Sequence, residues 1–147
     1  MTEEPHLIQG KAVVDDRGTV RFVNDFTFDS VKRFYTVTNH ALGFVRAWHG
    51  HRHEAKFCTA ARGSFLVCCV RVDDWNSPST NLPIHRFVLS DQTPAVLYVP
   101  PGYANGFKSL TADATILFFS SARLEDSLGD DIRFPARLWN PWDVVER

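Results

Sequence analysis

No apolar run in the 147-residue sequence exceeds the length of a strand, so nothing in it reads as a membrane-crossing helix. Sixteen Lys and Arg against seventeen Asp and Glu leave a net charge of −1. Without an excess of either sign there is no global pull toward nucleic acid or a membrane surface. Cysteine is scarce, and Cys58, Cys68 and Cys69 do not make a disulfide framework: their number is odd, and the adjacent Cys68 and Cys69 would point to opposite faces of a strand. They read as buried free thiols of a reducing compartment, which makes the cytoplasm the expected location. The start, Met-Thr-Glu-Glu-Pro, is acidic and polar, unlike a secretory signal. Repeats, low-complexity tracts and linkers are missing, so the expectation is one domain over residues 1–147 with a full-sized core.

Long helical periodicity is missing too. What the chain has instead is short runs rich in Val, Phe, Thr and Ile, several of them alternating, at 11–15, 20–24, 32–39, 43–51, 56–60, 63–72, 84–89, 95–99, 105–110 and 114–120. Turn residues punctuate them, among them Asp16-Arg17-Gly18, Arg62-Gly63, Asn76-Ser77-Pro78 and Pro100-Pro101-Gly102. Short strands at regular spacing predict an all-β antiparallel sandwich or barrel. From Leu124 onward the chain is rich in charge, Trp and Pro, and is expected to form an irregular strap with one short helix, Trp139 and Trp142 covering core.

Chemistry concentrates in Arg46-Ala47-Trp48-His49-Gly50-His51-Arg52-His53-Glu54-Ala55-Lys56. On a strand His49, His51 and His53 share one face, each able to titrate near neutral pH. Such a row bordered by cations suits either a metal or an anionic substrate with an acidic proton. The metal reading is that of a cupin, a jelly-roll barrel whose first motif is Gly, His-x-His, then Glu after three or four residues. Here Glu54 follows His51 after only two. The second cupin motif places a fourth-ligand His after Pro-x-Gly, and Pro100-Pro101-Gly102-Tyr103-Ala104-Asn105 has Asn105 there, whose amide oxygen is a weak ligand. No metal and no other cofactor is therefore expected. His53 reads as solvent-facing or structural, and the isolated His6, His40 and His85 receive no role.

Five segments in order resemble the dTDP-4-dehydrorhamnose 3,5-epimerase family: Asp15-Asp16-Arg17-Gly18, Phe34 through Asn39, Gly43-Phe44-Val45-Arg46-Ala47-Trp48-His49, Leu97 through Phe107, and Asp131-Ile132-Arg133-Phe134. The resemblance implies a cupin-type double-stranded β-helix and isomerase activity, as an epimerase at C3 and/or C5, on a nucleotide-diphosphate sugar. That sugar would be a dTDP-linked 4-keto-6-deoxyhexose of deoxysugar and lipopolysaccharide or other polysaccharide biosynthesis. It also implies a homodimer with exchanged N-terminal strands. Three departures stand out. Phe118 occupies the place of the family's catalytic Tyr. Asn105 replaces a His. The Asp that pairs with the family's catalytic His lies in a longer tail with no counterpart here. Arg46-Ala47-Trp48-His49-Gly50-His51 also resembles the sister 3,4-ketoisomerases, so that reaction, and a metal-dependent cupin enzyme, remain as alternatives.

A C4 ketone acidifies the protons on C3 and C5, and removing one needs a base near neutral pH and a group to hold the oxyanion. His49 is the candidate base and Lys56 the oxyanion or sugar contact. His51 is a candidate proton shuttle, and Tyr35 and Tyr98 are candidate acids. Arg17 and Arg46 are the candidate diphosphate contacts, with Asn39, Asn105 and Tyr103 completing the expected substrate-binding set.

Overall fold

Alternation of side chains decides the architecture. In the strand Thr115–Ser120 every second residue, Ile116, Phe118 and Ser120, is buried, and in Ser64–Arg71 the inward set is Phe65, Val67 and Cys69. Strands with one such face must bury it against another sheet. The computed structural model, which describes residues 3–147, shows how. In chain order the elements are β1 (His6–Gln9), β2 (Lys11–Asp15), β3 (Gly18–Phe22), β4 (Arg33–Thr38), β5 (Val45–His51), β6 (Lys56–Arg62), β7 (Ser64–Arg71), β8 (Ile84–Ser90), β9 (Ala95–Val99), β10 (Tyr103–Ser109), β11 (Thr115–Ser120), α1 (Leu124–Leu128) and β12 (Ile132–Arg133). One five-stranded sheet runs β1-β9-β6-β11-β4 and the other β12-β5-β10-β7-β8, with antiparallel pairing throughout. This is the cupin-type jelly-roll barrel.

Between the sheets lies one core, built on Cys58, Phe65, Val67, Cys69, Leu97, Ile116 and Phe118. A second apolar cluster sits on the outer face of the β5-β10-β7 sheet, where Trp48, Cys68, Val70 and Ala104 are covered by Trp139 and Trp142 of the C-terminal strap. Cys68 and Cys69 thus enter different cores, and all three cysteines are free and buried. Both strap indoles are tied to backbone carbonyls: Trp139 Nε1–H donates to Ser79 and Trp142 Nε1–H to Ala136, at 2.8 and 2.9 Å.

Two strands escape the sequence reading. β1 is four residues beside the polar N-terminus and exists through its pairing with β9, and β12 is two residues held by β5. The hairpin strand expected at 20–24 starts earlier, at Gly18, whose φ of +140° lets the chain turn back directly after Asp15. In the single chain β1 pairs with β9 at the edge of its sheet. The β2–β3 hairpin joins neither sheet. Among the described residues no helix is long and apolar enough to cross a membrane.

The pairing of β10 with β5 carries one irregularity that matters for the site. Asn105 faces His49 but Phe107 faces Arg46, a bulge of β5 at Ala47-Trp48 opposite Gly106. A Cβ added at Gly106 would lie 2.5 Å from the Ala47 Cβ and 3.0 Å from the Trp142 ring. Gly106→Ala should therefore lower stability by about 1–3 kcal/mol through overpacking. Thermal unfolding reads this as a lower midpoint, and an unchanged midpoint would show that β5 and the strap are not locked together here.

Candidate active site

One end of the barrel interior opens into a cavity of about 310 Å³. Arg33, Tyr35 and Val37 of β4, Lys56 of β6 and Phe118 of β11 line one side of it. Arg46, His49 and His51 of β5 and Asn105 and Phe107 of β10 line the other. Leu124, Ser127 and Leu128 of α1, with Asp131 and Arg133, complete the wall. Arg46 and His49 are three residues apart and would face opposite ways on a regular strand. The bulge opposite Gly106 removes that conflict: Arg46, His49 and His51 all reach the cavity, while Val45, Ala47 and Trp48 all turn to the outer core.

Beneath the cavity lies a buried charge cluster centred on Glu54, whose side chain is 1% exposed. Its Oε1 accepts from Lys56 Nζ at 2.8 Å, from Arg33 Nη2 at 3.3 Å and from the Ser120 hydroxyl. Its Oε2 accepts from Ser127 Oγ at 2.7 Å and lies 3.2 Å from His51 Nδ1. Burial alone would raise the Glu54 carboxyl, but the Lys56 hydrogen bond and charge, with the bonds from Ser120 and Ser127, outweigh it and hold the group below its ordinary value. Lys56 Nζ also donates to Tyr35 Oη at 3.0 Å and lies 4.8 Å from the centre of that ring. Tyr35 stacks on Phe118, centroids 5.2 Å apart and nearly parallel, because the two are cross-strand partners.

The two histidines differ. His51 is buried and its Nδ1 lies 2.6 Å from the Asp130 carbonyl oxygen. A carbonyl only accepts, so Nδ1 carries a proton, and Nε2 is the nitrogen left to face the cavity. Asp130 spends its carboxylate on the backbone N–H groups of Arg52, His53 and Glu54, at 2.7, 2.8 and 2.9 Å, and so fixes the turn after β5. His49 is half-buried. Desolvation is the main cause that pushes it below its ordinary value, reinforced by the Arg133 charge and opposed by Asp131. Asp131 bridges the two: Oδ1 is 3.9 Å from His49 Nδ1 and Oδ2 accepts from Arg133 at 3.0 Å.

The expected residues thus divide. His49, His51, Lys56, Tyr35, Arg46 and Asn105 meet at the cavity. Asn39 stands behind it and orients Arg46, whose Nε–H donates to Asn39 Oδ1 at 2.7 Å. Tyr98 faces away from it: its hydroxyl donates to Glu3 at 2.8 Å, and burial, with that carboxylate, pushes it up to about 12. Tyr103 packs in the core, its hydroxyl toward the Glu3 carbonyl, and lines a different cavity with His85. Arg17 sits 85% exposed at the hairpin tip, paired with Asp15 at 2.6 Å. His53 is exposed, as the sequence reading had it. Arg33, Glu54, Asp130, Asp131 and Arg133 were not singled out as site residues. Asp131, inside the segment that carried the family resemblance, is the carboxylate that lies 3.9 Å from His49. No sequence signal separated Glu54 from a misplaced cupin ligand.

His51, Glu54 and Asp130 bring potential metal ligands within 4.8 Å of one another. Their donor atoms are already engaged, however: Glu54 by Lys56, Arg33 and two hydroxyls, Asp130 by three amides. The Lys56 ammonium supplies the positive charge that a cation would bring. These residues do not fit a metal centre.

The charges around His49 predict opposite shifts. Followed by NMR, its imidazole should titrate below the ordinary value of 6.5. Arg133→Gln removes a cation and should move the midpoint up. Asp131→Asn removes an anion and should move it down. Equal or reversed shifts would contradict the arrangement.

No curated protein sequence matches the chain. Among solved structures, the dTDP-4-dehydrorhamnose 3,5-epimerase from Bacillus anthracis with TDP and PPi bound is similar with TM-score 0.77 and 18% identity, over 97% of this chain and 86% of that one. An epimerase from Mycobacterium tuberculosis is similar with TM-score 0.68 and 23% identity, over 84% of this chain and 66% of that one, so the chain spans just under two thirds of its length. A sugar 3,4-ketoisomerase from Thermoanaerobacterium thermosaccharolyticum in complex with TDP is similar with TM-score 0.69 and 21% identity, over 94% of this chain and 93% of that one. These likenesses show the fold. The sequence model of the dTDP-4-dehydrorhamnose 3,5-epimerase family matches residues 3–135, nearly the whole chain, and the chain belongs to that family of isomerases.

Proposed function

We propose that the cavity isomerises a nucleotide-diphosphate-linked 4-keto-6-deoxyhexose, dTDP-linked by the family's pattern, through proton abstraction beside the ketone. One observation carries this reading. A histidine held neutral by burial, His49, and a buried ammonium, Lys56, line the same cavity. His49 takes the proton from the carbon next to C4, the electron pair moves onto the C4 oxygen, and Lys56 stabilises the enolate there. Arg46 and Arg133, both at the cavity wall, serve the diphosphate, with Asn39 holding Arg46 and Asn105 contacting the sugar. Tyr35 is the acid for reprotonation in an epimerase, because its hydroxyl reaches the same ammonium.

A specific feature favours the 3,4-ketoisomerase as second reading. Phe118 has no proton to give, and His51 shares the cavity face with His49 as a ready acceptor and donor. Chemistry at one carbon, or a keto shift, is expected rather than double epimerisation. The metal-dependent alternative is disfavoured by Asn105 and by the engaged carboxylates.

The protein acts as a homodimer in this reading. Its β2–β3 hairpin joins neither sheet and leaves Val13, Val14 and Val20 more than half exposed, with Arg17 at the tip. Packed on a second copy, those valines lose water and Arg17 reaches the partner's diphosphate. The whole chain is read as one cytoplasmic domain, in keeping with its reduced, buried thiols.

NMR of dTDP-4-keto-6-deoxyglucose in D₂O with the protein is the test. Deuterium at C3 or C5 alone supports the epimerase, and a carbonyl shift to C3 supports the ketoisomerase. Inversion at both carbons would contradict the argument from Phe118, and no exchange at all would contradict the reading. Light scattering should give a dimer, and a monomer would remove the role of Arg17.

A further inference from the structure

Glu54 is the most engaged side chain at the site, and the proton transfers proposed above do not use it. A buried ionised carboxylate costs stability unless paired and hydrogen-bonded. This one is compensated by Lys56 and Arg33, whose side chains are 5% and 23% exposed. A barrel end could be closed with apolar residues at no such cost, so the charge has a use besides packing.

That use follows from counting donors. The Lys56 ammonium has three N–H groups. One points to Glu54 Oε1 at 2.8 Å and one to Tyr35 Oη at 3.0 Å, which leaves one for an oxygen in the cavity. Its rotation about Cε–Nζ is thereby fixed. Oε2 of the same carboxylate faces His51 Nδ1 and accepts from Ser127 of α1, at the cavity rim. We propose that Glu54 is a positioning residue: it aims the free Lys56 N–H at the C4 oxygen and holds His51 in place from behind, tying both to the rim helix. This rests on the isomerase reading of the cavity. When substrate binds, Glu54 itself neither gives nor takes a proton; its carboxylate keeps the Lys56 N–H groups oriented while the enolate forms.

Glu54→Gln keeps the shape and removes the charge. The solvent-exchange rate at the substrate carbon should fall about 10²-fold, in the range for losing one aimed oxyanion donor, with KM changed less than about threefold. The loss should fall on kcat, because the third Lys56 N–H is no longer aimed once the carboxylate is gone. A purely structural role would lower the amount of active protein and leave the rate per active site unchanged.

A second readout needs no substrate. In the wild type the Lys56 ammonium should give a slowly exchanging ¹⁵N–H resonance, and in Glu54→Gln it should be lost. If wild type exchanges no deuterium but shows this protected resonance and loses it in the variant, the isomerase reading fails while the positioning stands. A folded Glu54→Gln protein with wild-type exchange rate and resonance overturns the proposal. Should that variant not fold, Ser127→Ala, which removes one Oε2 tether, decides it: a clear loss of exchange rate and of ammonium protection supports the proposal, and unchanged values overturn it.

Discussion

Everything at the cavity depends on how β10 lies against β5. A regular antiparallel ladder would send Arg46 and His49 to opposite faces, one into the barrel and one into the outer core. The extra residue of β5, at Ala47-Trp48 opposite Gly106, shifts the pairing by one, so Arg46, His49 and His51 share the inner face. The shift also lets Trp48 sink into the outer cluster under Trp139 and Trp142. Packing outside the barrel and chemistry inside it are therefore two sides of one register change. Glycine is needed there because Ala47 and the Trp142 ring leave no room for a side chain.

Charge follows from that geometry. A jelly-roll interior is apolar, and here Phe107, Phe118 and Tyr35 form the cavity's aromatic wall. Cations placed in such surroundings need anions close by. Glu54 answers Lys56 and Arg33 on one side, and Asp131 answers Arg133 and His49 on the other. The same burial that makes these pairs costly holds His49 uncharged, the state a base must start from. Stability and reactivity draw on one source, the exclusion of water from this end of the barrel.

How much of this was legible in the sequence depended on whether a residue acts through its own strand. His49, His51 and Lys56 stood out because they cluster in one stretch, and β5 and β6 carry that stretch straight to the cavity. Tyr35 was one of three tyrosines that strand pattern could not rank; its register opposite Phe118 separates it from Tyr98, on the other face of the sheet, and from Tyr103, buried in the core. Glu54 and Asp131 were visible as letters but not as partners. Their meaning comes from contacts with β4, β11 and α1, and with the segment before β12, which no local pattern encodes. The fold itself was readable because alternation reports burial directly. β1 and β12 were not, because each is too short to show a period and is a strand only through its neighbour.

Asp131 places a carboxylate 3.9 Å from His49 near the end of the matched segment, and Tyr35 places a phenol beside Phe118 on the adjacent strand. The central claim is that His49 removes the proton. The rate of deuterium incorporation from D₂O into dTDP-4-keto-6-deoxyglucose by His49→Asn tests it most directly. The account predicts a rate lower by about 10²–10⁴-fold, the span of general-base catalysis, with the fold and TDP binding retained. Incorporation at the wild-type rate would contradict it.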